Sequence, residues 1–422
     1  MRSSHPAPRR RTRIPPALTR GAESMPAIGI LDEVPGDLGV LLWRSARNVA
    51  LWAATPAASR GALFAGGAAD AREAALSGVE VDPEIAAPLS VMVRLLESPA
   101  TMDVGRVVNA CRRISVWAEQ RGALATALEF MQAAALSAPQ VAALAYGVGR
   151  LARRRAEYDR AESWYGRAIV QARRTGDWRT YALGYSGLGN LNTQKGNFPV
   201  ARRAQMRGLR AALRHNLTDL QGIAFHDLFV THIETGAGTE ATTFASRAFH
   251  AYGPDHPFVP RLAYDVAYHW GLEGYFEEAL RVSQALENCF QGPAENALVL
   301  GLIARAAGGS GEVEAFEEAR RRVEQVLRGG VGHDSAARAL LGISYGAASL
   351  QRWELAEQAA IRALQIANER REGRVVLAAE SALDFARTRP EPPRPAEAKE
   401  AQSVLAGDFV EALRRRPALA QA

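Results

Sequence analysis

One event recurs seven times between residues 108 and 370. A short turn is followed by a residue that must pack tightly inside a helical pattern. The residues at that place are Ala127, Ala161, Ala201, Ala241, Ala279, Phe316 and Ala356, separated by 34, 40, 40, 38, 37 and 40 positions. A fixed period of about 20–50 residues means an array of one supersecondary unit, in which each copy buries its apolar face against its neighbours. The turns before these positions are Gln120-Arg121-Gly122, Arg155-Ala156-Glu157, Lys195-Gly196-Asn197, Thr235-Gly236-Ala237, Glu273-Gly274-Tyr275, Gly309-Ser310-Gly311 and Leu350-Gln351-Arg352. Glycine closes a helix by adopting the left-handed conformation, and it is missing only from the second and seventh turns. Leu124, Tyr158, Phe198, Phe276, Val313 and Trp353 follow the turns and are expected to wedge between the two helices of a pair. A small residue is needed where helices cross closely, so Phe316 marks the sixth hairpin as the most divergent.

The clearest copy runs from Gly184 to Leu213. Tyr185, Leu188 and Gly189 share one helical face, Gly196 interrupts, and Phe198, Ala201 and Leu209 begin a second face. This hairpin resembles the tetratricopeptide repeat (TPR), whose pattern places W-x2-L-G-x2-Y on its first helix and A-x3-F on its second. The resemblance implies an all-α, TPR-like right-handed α-solenoid of antiparallel helix hairpins over residues 108–388, closed by a capping helix over Arg374 to Arg387. It also implies a non-catalytic scaffold that binds a protein or peptide segment in a concave groove lined by the first helices. Carried over by register, the groove residues are Arg112, Tyr146, Arg150, Arg154, Asn190, Gln194, His226, Asp227, Tyr264, Asp265, Tyr268, Arg305 and Tyr345. Asn190 falls where the family commonly holds a ligand's backbone, although the family's carboxylate-gripping Lys/Arg–Asn set is incomplete. The expected groove is basic in its first half and aromatic, acidic and histidine-bearing in its middle. Arginine grips carboxylates bidentately and tyrosine adds rigid contact area, a combination suited to an extended, partly acidic peptide.

The flanking segments read differently. Residues 1–36 are an Arg/Pro-rich tail expected to be disordered, with Met25 as a second candidate start. Residues 37–107 are expected to form an N-terminal helical cap. Leu38, Leu41, Leu42, Val49 and Trp52 trace an apolar stripe, and Thr55-Pro56 and Asp82-Pro83-Glu84 are helix start signals. Residues 389–395 form a Pro-rich linker. Residues 396–422 form an amphipathic helix with Leu405, Phe409, Val410 and Leu413 on one face, available to the array or to self-association.

The net charge of +6 is confined to six arginines within the first 20 residues, and the rest of the chain is balanced. A nucleic-acid-binding body carries its excess where it binds, so no nucleic-acid partner is expected for the folded part. Cys111 and Cys289 stand far apart with no CxxC motif, as reduced thiols of a cytoplasmic protein do. Phe130 to Gly149 lacks charge over a membrane-spanning length, but Pro139 makes it helix, turn, helix, and no membrane partner is expected. Six of the eight histidines fall between residues 215 and 269. Asp265 and His269, four apart, are the nearest approach to a metal or hydrolase set, and the spacing is weak evidence for either. Gly147 and Gly149 lie inside a helical pattern without a third glycine, so they serve packing rather than phosphate binding. No cofactor motif is present. Two alternatives stand beside the scaffold: a regulatory, transcription-associated sensor whose output segment is residues 37–100, and an enzyme using the middle His/Asp/Tyr cluster.

Overall fold

The computed structural model describes residues 29–236, 238–290, 292–328, 333–369, 373–391 and 395–416. They form twenty α-helices, and no strand occurs among them. Four helices come first: α1 (Gly29–Glu33), α2 (Gly36–Ala54), α3 (Ala68–Ser77) and α4 (Pro83–Glu97). Seven antiparallel pairs follow: α5 (Val104–Gln120) with α6 (Leu124–Ser137), α7 (Ala142–Arg154) with α8 (Tyr158–Thr175), α9 (Trp178–Gln194) with α10 (Phe198–Arg214), α11 (Thr218–Glu234) with α12 (Gly238–Tyr252), α13 (Val259–Glu273) with α14 (Phe276–Leu286), α15 (Pro293–Ser310) with α16 (Val313–Arg328), and α17 (His333–Ser349) with α18 (Trp353–Glu369). The chain ends with α19 (Gly373–Thr388) and α20 (Glu400–Arg414). This is an all-α, TPR-like stack of helix hairpins. It divides into two compact units at Leu220/Gln221.

Each hairpin closes as its sequence dictates. All seven marker residues, Phe316 included, are fully buried. Twelve residues upstream, the first helix presents a small residue in every hairpin but the fourth, where Phe229 stands. Ser115 Oγ donates to the carbonyl of Ala127 at 2.7 Å, and Ser344 Oγ to that of Ala356 at 2.9 Å. At Gly189 a β-carbon would press into the Gln205 side chain. The turns place Gly122, Gly196, Gly236, Gly274 and Gly311 at positive φ. In the two turns without glycine, Ala156 (φ 60°) and Gln351 (φ 57°) take the same left-handed conformation. The expected wedge residues open the second helices. Phe276 is buried, whereas Leu124, Tyr158, Phe198 and Trp353 are half-buried. Val313 is exposed and wedges nothing.

Unit 1 is anchored by an element that sequence reading assigned to a disordered tail. Residues 1–28 lie outside the described residues, but Gly29–Glu33 is helical and Ile30 is fully buried. The Glu33 carboxylate accepts from the backbone N–H groups of Ala125 (2.7 Å) and Thr126 (2.8 Å) and from the Thr126 hydroxyl. Helix α6 has no side-chain cap of its own. Glu33 satisfies its orphan donors from 92 residues away, and nothing local in the sequence announces that. Downstream, Thr55 ends α2 rather than starting a helix, its hydroxyl bonding back to the Leu51 carbonyl. Residues Ala57–Ala62 form only a 3-10 turn. The second start signal works as read: Asp82 accepts from the Glu84 N–H at 2.9 Å with Pro83 at the first helical position. The Asp82 carboxylate also takes the Trp117 indole N–H at 2.9 Å.

In unit 2 two features depart from the simple repeat. Helices α15 and α17 pack backbone to backbone. A β-carbon on Gly301 would stand 2.6 Å from the Ala339 Cα, and one on Gly308, Gly342 or Gly346 would overlap a facing carbonyl. Two consecutive first helices therefore meet directly, and Phe316 on α16 packs against the Gly346 end of that seam. Helix α20 lies on α12, α13 and α14. Phe409 meets the Phe249 ring edge-on at 5.1 Å, and Leu405, Ala406, Ala412 and Leu413 are buried. The Ser403 hydroxyl bonds Glu278 (3.1 Å), and Arg416 donates to the His256 carbonyl (2.6 Å). The apolar face read as a self-association surface is thus covered within the chain. The helix begins at Glu400, not Ala396, whose N–H bonds the Gly274 carbonyl.

Candidate functional site

The residues singled out from sequence sit on first helices, and the two units hold them differently. In unit 1, Arg150 on α7 grips the Glu119 carboxylate of α5 through both terminal nitrogens at 2.5 Å, and Arg154 joins the same carboxylate. Hydrogen bonding to Arg150 holds the Glu119 carboxyl below its ordinary range. Glu119 places one negative charge among the arginines of this first half and ties Arg150 and Arg154 together, leaving the three side chains net positive. Sequence reading missed Glu119 since its pairing depends on the register between two helices 31 residues apart. Arg112 and Gln194 are exposed, and Asn190 is half-buried. Tyr146 tilts against Tyr165 with ring centres 5.9 Å apart.

Unit 2 brings more of the predicted set together. His226 Nε2 on α11 lies 3.0 Å from Asp265 Oδ2 on α13, and Arg261, one turn before Asp265, donates to the same oxygen at 3.3 Å. The Tyr264 and Tyr268 rings stack along α13 with centres 6.4 Å apart. Burial first, and then the Asp265 charge, push the Tyr264 phenol above its ordinary value. Tyr268 remains exposed. On the next first helices, the Arg305 guanidinium lies over the Tyr345 ring at 4.3 Å, and its Nε donates to the Gly271 carbonyl at 3.1 Å. Asp227 is half-buried beside His226.

The Asp265–His269 set read from the sequence is not brought together. Asp265 pairs with His226, whereas His269 is buried with its ring edge toward Phe229 at 5.9 Å. Burial lowers the His269 pKa from its ordinary value. Among the described residues no group of three His, Cys, Asp or Glu side chains could hold a metal ion. Burial pushes the Cys111 thiol up, away from the thiolate that a nucleophile needs. No helix among the described residues is long and apolar enough to cross a membrane, and Phe130 to Gly149 folds as the end of α6, a turn and the start of α7.

No family model matches the chain, and no curated protein matches it in sequence. Among solved structures, the chain is similar to a Rap protein complexed with competence and sporulation factor. That likeness covers 80% of this chain and 99% of the Rap chain, at 12% identity and a TM-score of 0.49. A likeness at that level carries no functional argument. The repeat architecture rests instead on the seven buried markers and seven left-handed turns.

Proposed function

We propose that the protein is a non-catalytic scaffold whose first-helix faces bind an extended peptide or protein segment. The observation that carries this reading is the unit 2 face. There, His226, Asp265, Tyr268, Arg305 and Tyr345, from four successive first helices, form one run of polar and aromatic side chains. Side chains that bridge neighbouring repeats hold the face in shape before a ligand arrives. Preorganisation of that kind lowers the ordering cost of an extended ligand. Exposed Tyr268 and Leu272 lie one turn apart on α13 and supply apolar contact beside charge. In unit 1, Arg150 and Arg154 share the one Glu119 carboxylate, and Arg112 is exposed without an acid partner among the described residues.

The test is affinity capture from native lysate with two baits. One is the wild type; the other carries Arg112→Glu, Gln194→Ala and Tyr268→Ala, all at exposed positions. Both must show the same helical circular dichroism. A partner retained by the wild type and lost by the variant supports the reading. Equal capture by both baits moves the site away from the first helices.

A further inference from the structure

We propose that Arg305, flanked by Tyr268 and Tyr345, is a receptor for a single carboxylate carried by the bound peptide. The inference rests on the peptide-binding reading above and names the group recognised at one point of it.

Helix α13 ends at Gly274 in the left-handed conformation, where the N–H groups of Gly274 and Tyr275 both return to the Trp270 carbonyl. That leaves the Gly271 carbonyl as an orphan at the negative end of the helix. Arg305 Nε takes it at 3.1 Å. The arginine stem runs alongside Gly271, where even a β-carbon would stand at ordinary contact distance, 3.6 Å from Arg305 Cδ. One face of the guanidinium is covered by Tyr345 at 4.3 Å, and Tyr268 lies near enough to interact electrostatically with both groups. The side chain is thereby fixed along its length with only its terminal fork uncommitted. Neither terminal nitrogen has a hydrogen-bond partner among the described residues, and neither is sealed from solvent.

Arg305 differs in this from the ion-paired arginines on the first-helix faces. Arg150 and Arg154 have Glu119, and Arg261 has Asp265. Arg305 has no carboxylate partner among the described residues, although burial lowers its pKa below the ordinary arginine value. A guanidinium held in place along its stem, with its fork open and no acid bound, can take up an anion without first giving up an ion pair. Its planar fork matches a carboxylate through two parallel hydrogen bonds. Leu272, exposed on the same helix, offers contact to an apolar group beside the charge.

The carboxylate can belong to a peptide C-terminus or to an acidic side chain, and model compounds separate the two. The full-length protein is titrated with N-acetyl-leucine, with the α-amide of N-acetyl-glutamate, and with N-acetyl-leucinamide as the uncharged control. The Arg305 Nε–H resonance is followed, assigned by its loss in Arg305→Lys. The expected result is a saturable shift with at least one carboxylate, no shift with leucinamide, and affinity about tenfold weaker in Tyr268→Ala, which leaves the contact with Gly271 intact. The stronger of the two carboxylates identifies the source. Silence with both carboxylates, or an equal shift with leucinamide, overturns the proposal and leaves Arg305 as the cap of α13. If the carboxylates are silent while lysate capture still distinguishes the baits, this receptor fails and the first-helix reading survives. If capture fails while the carboxylates bind, the reverse holds.

Discussion

At the scale of single residues, the two turns without glycine carry a measurable strain. Ala156 and Gln351 hold left-handed conformations in which an L side chain crowds the following carbonyl, a cost of about 1–2 kcal/mol relative to the right-handed form. Glycine avoids that crowding but loses more backbone entropy on folding. Ala156→Gly and Gln351→Gly are therefore each expected to stabilise by about 0.5–1 kcal/mol, read as a raised urea midpoint; an unchanged or lowered midpoint contradicts the account. A second residue-scale prediction concerns pH. His269 is buried, and its pKa in the folded chain is depressed. Above the unfolded value of about 6.5 both states are neutral and the residue contributes no pH dependence. Below it, the unfolded chain binds a proton that the folded site refuses, so stability falls as the pH drops. Between pH 7.5 and 5.5 the wild type should lose more unfolding free energy than His269→Gln, and parallel losses would remove His269 as the cause.

At the scale of elements, hairpin boundaries were legible because they are written locally. The start of a second helix is a turn plus a wedge or small residue, and Leu124, Tyr158, Phe198, Phe276, Val313 and Trp353 are each the first residue of one. What was not legible depends on which helix lies beside which. Glu33 capping α6 and Glu119 gripping the α7 arginines are contacts across 92 and 31 residues, with no local signature. The glycines at 301, 308, 342 and 346 were visible, but only the seam between α15 and α17 explains them. The seam makes a sharp prediction. In Gly342→Ala the new methyl meets the Gly301 carbonyl of the facing backbone, and the expected loss is about 1–3 kcal/mol. In Gly166→Ala, at mid-helix in α8, the methyl meets nothing within 4 Å, and a gain of about 0.5–1 kcal/mol is expected. Opposite signs for two identical substitutions, seen as opposite shifts in the denaturant midpoint, distinguish close helix approach from general glycine flexibility. Two substitutions of the same sign would contradict the seam.

At the scale of the whole molecule, both helices of a pair build the core: Trp164, Phe316 and Phe409 lie on second helices or α20, Phe229, Trp270 and Leu340 on first helices, and all are sealed from solvent. First helices carry the side chains that bridge one repeat to the next, as in His226 with Asp265 and Arg150 with Glu119. The candidate residues were picked from sequence by register, at places 15, 14, 11 and 7 residues before the markers, and the structure puts all of them on first helices. Their electrostatics were not legible, because pairing depends on neighbouring helices: Glu119 is shared by two arginines while Arg305 is left without an acid among the described residues. The most direct test of the account is hydrogen exchange of the full-length protein with and without a partner segment selected by capture. The account predicts slowed exchange in first helices of either unit, with α13 and α15 among them, while α8, α10, α14 and α16 are unchanged. Protection confined to second helices or to α20 would contradict it.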